Sequence, residues 1–115
     1  MHIGYYSKII AVDFDGTLCR HAFPKIGEPH YDVIDAVRKE KKKGTTIILW
    51  TCRQGIYLEQ AVEWCKNHNI PLDYVNCNTP DLIEDWNRDT RKIVANEYWD
   101  DKARLVKDGK ITNGK

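Results

Sequence analysis

The chain has 115 residues, 42 % hydrophobic and 30 % charged, with a formal net charge of +1. That length suits one domain with one core over residues 1–115, and the composition is globular, which excludes a disordered or fibrous protein. A charge this near neutrality speaks against a basic nucleic-acid binder, and apolar runs as short as "IIAV" and "IILW" fall far below the ~20 residues of a membrane span. No nucleic-acid and no membrane partner is expected. The opening "MHIGYYSK" carries no long apolar segment of the secretory kind, so a cytoplasmic protein is expected. Cys19, Cys52, Cys65 and Cys77 lie far apart with no CxxC pair and are expected as reduced thiols, Cys65 as a small buried side chain.

Residues 8–12 form a continuous apolar, β-branched run, the pattern of a central parallel strand. Residues 17–30 contain two prolines and a glycine and read as a loop. Over residues 31–43, Val33, Ile34 and Val37 share one helical face, and Gly44 stands where a helix stops. Lys39 and Lys41 to Lys43 suit the negative end of that helix dipole, and a solvated terminus explains this basic run better than a ligand site.

"TTIILW" is a second buried strand and ends in "TCRQG". Leu58, Ala61, Val62 and Cys65 then recur at i, i+3, i+4 and i+7, an amphipathic helix closed by Asn69 and Pro71. "LDYVNC" is a third strand, and Thr79 with Pro80 resembles a cap followed by proline at the first position of a short helix. "NEYW" is a fourth strand, running into Asp100 and Asp101, and "RLVKDGKIT" places a DG dipeptide between two apolar pairs, a terminal hairpin.

Strands alternating with helices predict an α/β fold, a three-layer Rossmann-like sandwich with a short central parallel sheet. Ligands of such sheets bind at the carboxyl ends of the strands. Three strands end in suggestive residues there: Asp13 with Asp15, Thr51, and Asp100 with Asp101. Singly, "DFDGT" reads as a turn, "DD" as a helix cap, Thr51 as a strand residue and Lys92 as a solvent-exposed helix residue. As an ordered set, each after its own strand or just before one, they point to a site.

"VDFDGTL" resembles motif I (hhhDxDGT) of the haloacid dehalogenase-like (HAD) phosphohydrolases, and "IILWT" resembles motif II, an apolar strand ending in Thr or Ser. "RKIVANEYWDD" is similar to motifs III and IV in compact form, a lysine followed by an apolar strand and paired aspartates. The likeness covers about residues 8 to 103, and "FPKIGEP" and "LWTCRQG" resemble small capless members of bacteria and phages. Motif I is highly specific, motif IV moderately so, and motifs II and III carry weight only beside the others.

The resemblance implies a Mg²⁺-dependent phosphatase acting on a small phosphorylated metabolite, nucleotide or sugar phosphate. Asp13 would attack phosphorus and form an aspartyl-phosphate, and Asp15 would protonate the leaving oxygen and then deprotonate the attacking water. The Asp13 carboxylate, the Asp15 backbone carbonyl and the Asp100 carboxylate would hold Mg²⁺, with Asp101 bound directly or at one remove. Carboxylates converging in a cleft repel one another, and a hard divalent cation with oxygen ligands relieves the conflict. Thr51, Lys92 and backbone N–H groups after Asp13 would neutralise the phosphoryl oxygens, with Arg88, Arg91 or Lys102 as alternatives to Lys92. Gly16 lets the chain turn sharply without a Cβ clash.

Residues 17–30 are too short for a folded cap, and residues 52–91 are accounted for by helix, strand and helix, so a HAD-like domain without a cap is expected. An open site suits a bulky phosphorylated substrate, or a lid borrowed from a neighbouring subunit in a homo-oligomer. The loop from Cys19 to Pro29 would lie over the cleft, where Arg20, His21, Lys25 and Arg53 are within reach of a leaving group. Solvent exposure is the simpler reading for each of these four taken alone. Trp50, Trp64, Trp86 and Trp99 suit core packing or an interface better than base stacking. The alternative function is a slow or inactive phosphate-binding or regulatory module of the same fold. A receiver-like phospho-acceptor domain belongs to that class, but its acceptor follows a middle strand, whereas the best acceptor here follows the first.

Overall fold

A computed structural model describes residues 7–112, so most of the opening segment read for a leader lies outside the described residues. The chain runs β1 (Ile9–Val12), α1 (Tyr31–Lys42), β2 (Thr46–Leu49), α2 (Gly55–Asn67), β3 (Tyr74–Val75), α3 (Pro80–Trp86) and β4 (Glu97–Trp99), then a hairpin of β5 (Val106–Lys107) and β6 (Lys110–Ile111). The first four strands pair in the order β3-β2-β1-β4, and every pairing is parallel. β1 is therefore flanked on both sides, which is why all four of its residues are apolar and buried.

Alternation along β1 and β2 divides the core in two. Ile10, Val12, Ile47 and Leu49 face α1 and α2, where Ile34, Val37, Ala61 and Cys65 close over them. Ile9, Ala11 and Ile48 point the other way, against Leu82 of α3 and Ile93. Helices thus cover both faces of one short parallel sheet, the three-layer Rossmann-like sandwich expected, with no cap among the described residues.

The third strand is shorter than its apolar pattern suggests. Asp73 keeps its own N–H on the Ile47 carbonyl at 2.8 Å, but its side chain, not a backbone carbonyl, takes the Ile47 N–H at 2.8 Å, and it also takes the Lys41 ammonium at 2.7 Å. Asn76, at φ +53°, ends the pairing after Tyr74–Val75. The basic end of α1 is spent on the surface as expected: Lys41 meets Asp73, Lys43 meets Glu40, and Arg38 donates to Asp35 and to the carbonyls of His68 and Asn69. The terminal hairpin forms at the DG dipeptide, with Asp108 at φ +52° and Gly109 at φ +75°, as a tight two-residue turn requires.

Between α3 and β4 the chain has no regular structure, and a buried Asn78 organises it. Its amide nitrogen donates to Asp89 at 2.9 Å and to the Thr90 carbonyl at 3.2 Å, while its oxygen accepts the Val94 N–H at 2.7 Å. All four cysteines are free thiols, and burial pushes Cys65 up to about 12, a small core side chain and not a reactive one. Trp64 packs edge-on against Phe14, with ring centroids 5.4 Å apart. Among the described residues no helix is long and apolar enough to cross a membrane.

Candidate active site

Parallel register brings the ends of three strands to one edge. Val12 pairs with Leu49 on one side and with Trp99 on the other, and the ladder continues one step as the Asp13 N–H donates to the Trp99 carbonyl at 2.9 Å. Asp13, Trp50 and Asp100 therefore leave the sheet side by side. Beyond them lies a cavity of about 320 Å³, lined by Asp13, Asp15, Thr51, Asp100 and Asp101. His21, Phe23, Cys52, Arg53 and Lys102 complete its walls.

After β1 the chain folds back at once. The N–H groups of Thr17 and Leu18 both bond the Phe14 carbonyl, at 3.2 and 3.0 Å, and the Gly16 N–H bonds the Cys19 carbonyl at 2.8 Å. Phe14 is fully buried and anchors the turn between the two aspartates. Gly16 sits at φ +90°, where a side chain is strained. Thr17 closes the arrangement across the sheet: its hydroxyl donates to Asp13 Oδ2 at 3.3 Å and accepts the Asp101 N–H at 3.0 Å.

Carboxylate oxygens of Asp13, Asp100 and Asp101 all lie within 4.8 Å of one another. Burial, followed by the charge of Asp100, raises Asp13 from 3.8 to about 6; Asp101 adds to the rise, and hydrogen bonds from Phe14 and Thr17 oppose it. Three acids held this close repel, and a divalent cation coordinated by oxygen is the group that fits such a set. The local turn takes the carbonyls of Phe14 and Cys19 and leaves that of Asp15 outside its hydrogen bonds. Asp13, which is half-buried, and the exposed Asp100 and Asp101 form a group that could hold a divalent cation, with the Asp15 carbonyl beside them.

The Asp15 carboxylate is turned to the opposite wall. Both its oxygens accept from Arg53, Oδ2 from Nε and Oδ1 from Nη2, each at 2.8 Å. Thr51 stands beside this pair, its hydroxyl oxygen accepting the Arg53 N–H at 3.2 Å, which leaves the hydroxyl hydrogen to donate into the cavity. The Thr51 N–H itself is fixed by Asn76 Oδ1 at 2.8 Å.

Three expectations change in detail. Lys92 is not brought to the cavity: its ammonium lies 5.5 Å over the Tyr98 ring, and the cavity is lined instead by Lys102. The reason is topological. Lys92 precedes β4 in a segment anchored by Ile93 in the α3-side core, whereas Lys102 follows β4 on the carboxyl edge. The backbone cradle is also narrower than expected, because the amides of Gly16, Thr17 and Leu18 are consumed in the turn, leaving that of Asp15 outside it. Arg20, His21 and Lys25 are exposed, as the simpler reading of each had it, and of the three only His21 lines the cavity.

Arg53 is the largest departure: expected in solvent, it is 2 % exposed. A polar residue four places after a strand gives no sequence signal of burial, and only the partner acid and the folded loop explain it. Thr17 was legible as the threonine of "DFDGT", four residues from Asp13, but its bridge to Asp101 depends on β4 lying beside β1. Cavity size is no guide to chemistry here. A larger groove of about 750 Å³, lined by Arg38, Lys41, Lys42, Lys66 and an apolar floor, offers no carboxylate, thiol or hydroxyl side chain.

No protein-family model matches the sequence. No curated protein matches it. Among solved structures, a conserved protein coded by a locus from Bacteroides thetaiotaomicron superposes with a TM-score of 0.75 at 32 % sequence identity, over 85 % of this chain and 78 % of that one.

Proposed function

This chain belongs to the same family as the conserved Bacteroides thetaiotaomicron protein, and we propose that it is a Mg²⁺-dependent phosphohydrolase of HAD type acting on a small phosphorylated substrate. The observation that carries the proposal is the meeting of Asp13, Asp100 and Asp101 within 4.8 Å, in the cavity that also holds Asp15 and Thr51. The order of these residues along the chain is that of the HAD motifs.

In the first half-reaction a carboxylate oxygen of Asp13 attacks phosphorus, and the bond to the leaving oxygen breaks as Asp15 gives that oxygen a proton. In the second, water attacks the aspartyl-phosphate, Asp15 takes its proton, and the bond between phosphorus and Asp13 breaks to release phosphate. The Thr51 hydroxyl and the Lys102 ammonium donate to the phosphoryl oxygens, whose charge must be neutralised in a loose transition state. Asp13, the Asp15 carbonyl and Asp100, with Asp101 alongside, would hold Mg²⁺, which would supply positive charge to offset the carboxylates and the phosphoryl oxygens. The cytoplasm, where free thiols persist, is the compartment that fits.

The test is a phosphate-release panel over phosphoesters with Mg²⁺, comparing the wild type with Asp13→Asn. Turnover by the wild type and its loss in the variant are expected; equal release by both removes the proposal. Persistent labelling by a phosphodonor without steady-state turnover favours the regulatory module instead.

A further inference from the structure

We propose that Arg53 is a positioning residue that aims Asp15 and pins the 20–29 loop as a fixed cover, giving a capless site a wall of its own; this rests on the phosphohydrolase reading.

Every donor of the guanidinium is used. Nε and Nη2 hold the two oxygens of Asp15 at 2.8 Å each, Nη2 also donates to the Lys25 carbonyl at 3.0 Å, and Nη1 reaches the carbonyls of Pro24 at 3.3 Å and Tyr57 at 3.4 Å. The plane lies between two aromatic rings, 5.1 Å from the Phe14 centroid and 5.0 Å from that of Phe23. One side chain thus joins the turn after β1, the start of α2 and the loop. Arginine alone has the planar five-donor fork this requires; a lysine would supply charge without the geometry.

The loop is built to be held. Its two limbs pair, with the Arg20 N–H on the Glu28 carbonyl at 2.8 Å and the His30 N–H on the Leu18 carbonyl at 2.9 Å. A Cβ on Gly27 would stand 2.2 Å from the Arg20 carbonyl oxygen, so the limbs close only with glycine there. The tip remains, and there the backbone of Pro24 and Lys25 is tied to Arg53. Phe23 and His21 are thereby fixed on the cavity wall, and edge-on contact with Tyr57 at 5.3 Å steadies Phe23.

For Asp15 the fork fixes both the direction and the depth of the carboxylate. Each carboxylate oxygen retains a second lone pair beyond the one facing the guanidinium, and that lone pair is what exchanges a proton with the leaving oxygen or with water. When the bond from phosphorus to an alkoxide leaving group breaks, its electron pair stays on that oxygen, which must take a proton from Asp15. A nitrophenolate departs without one. Misplacing Asp15 therefore weakens the first half-reaction according to the leaving group.

The experiment compares the wild type, Arg53→Ala and Arg53→Lys on glycerol 2-phosphate and on p-nitrophenyl phosphate, with circular dichroism as a check on folding. In both variants kcat/KM, which reports the step that expels the leaving group, is expected to fall by about 10²-fold or more on the alkyl ester and far less on the aryl ester. Mg²⁺ affinity measured calorimetrically stays the same, and added guanidinium restores part of the Arg53→Ala loss. An equal loss on both esters, lost Mg²⁺ affinity or no recovery with guanidinium overturns the inference while wild-type turnover leaves the phosphohydrolase reading standing. An inactive wild type overturns both. Should Arg53→Ala not fold, the leaving-group comparison in Arg53→Lys decides.

Discussion

A Cβ on Gly16 would lie 2.3 Å from Asp101 Oδ2, closer than any real contact. The two residues are far apart in sequence, yet the absence of a side chain on one makes room for the carboxylate of the other. Gly16→Ala adds this overlap to the strain of φ +90° and is expected to destabilise the fold by about 1–3 kcal/mol. Because the overlap pushes on an acid of the cluster, Mg²⁺ affinity falls with it. Thermal melts and a calorimetric Mg²⁺ titration check both; an alanine variant with wild-type affinity argues that Asp101 lies outside the cation site.

Asp13 gives the site a pH dependence. Folding raises it from 3.8 to about 6, so the folded state binds this proton more tightly than the unfolded chain does. The resulting stabilisation is complete below about pH 4 and is lost as pH climbs through about 6. Metal-free protein is then expected to be less stable at about pH 7.5 than at about pH 5 by about 1–2 kcal/mol from this group, allowing for partial solvent screening. Mg²⁺ should raise the melting temperature more at the higher pH, and Asp13→Asn should flatten the difference. Equal shifts at both values would remove the link between Asp13 and the cation.

Thr17 joins β1 to β4 through one hydroxyl, shared between Asp13 at 3.3 Å and the Asp101 N–H at 3.0 Å. Thr17→Val keeps the shape and removes the partner of the half-buried Asp13 carboxylate and of the N–H of the exposed Asp101, at an expected cost of about 1 kcal/mol. Denaturant melts measure it, and a cost near zero shows that the bridge contributes nothing net.

Lysine substitution separates two candidates for one role. Lys102 lines the cavity, whereas Lys92 lies over Tyr98. On any phosphoester the wild type turns over, Lys102→Ala should lower kcat/KM by about 10²-fold, and Lys92→Ala should leave it within a few-fold. The reverse ranking would return the role to Lys92.

Asn78 supplies the control. Buried and bonded to Asp89, Thr90 and Val94, it holds the segment before β4 away from the cavity. Asn78→Ala should cost about 2–4 kcal/mol of stability, since the partners it leaves are unsatisfied. At temperatures where the variant stays folded, Mg²⁺ affinity should match the wild type.

Element type and order were legible in the sequence because each rests on local pattern: the unbroken "IIAV" and "IILW" runs, the stripe Leu58, Ala61, Val62 and Cys65, and the proline after Thr79. The placement of Asp13, Thr51, Asp100 and Asp101 on one edge followed as well, since parallel strands carry their carboxyl ends together and direction is a property of connectivity. The short β3 was not legible, because Asp73 competes for the ladder through its side chain.

Charge partners were beyond reach of the chain alone. Whether a cation is buried depends on which anion faces it, and Asp15 and Arg53 are separated by a loop and a helix that only folding brings together. Lys92 and Lys102 flank the same strand, and the side of the sheet on which each emerges decides between them. Local propensity and periodicity are written residue by residue, whereas electrostatic pairing and close approach arise between distant segments and belong to the tertiary structure.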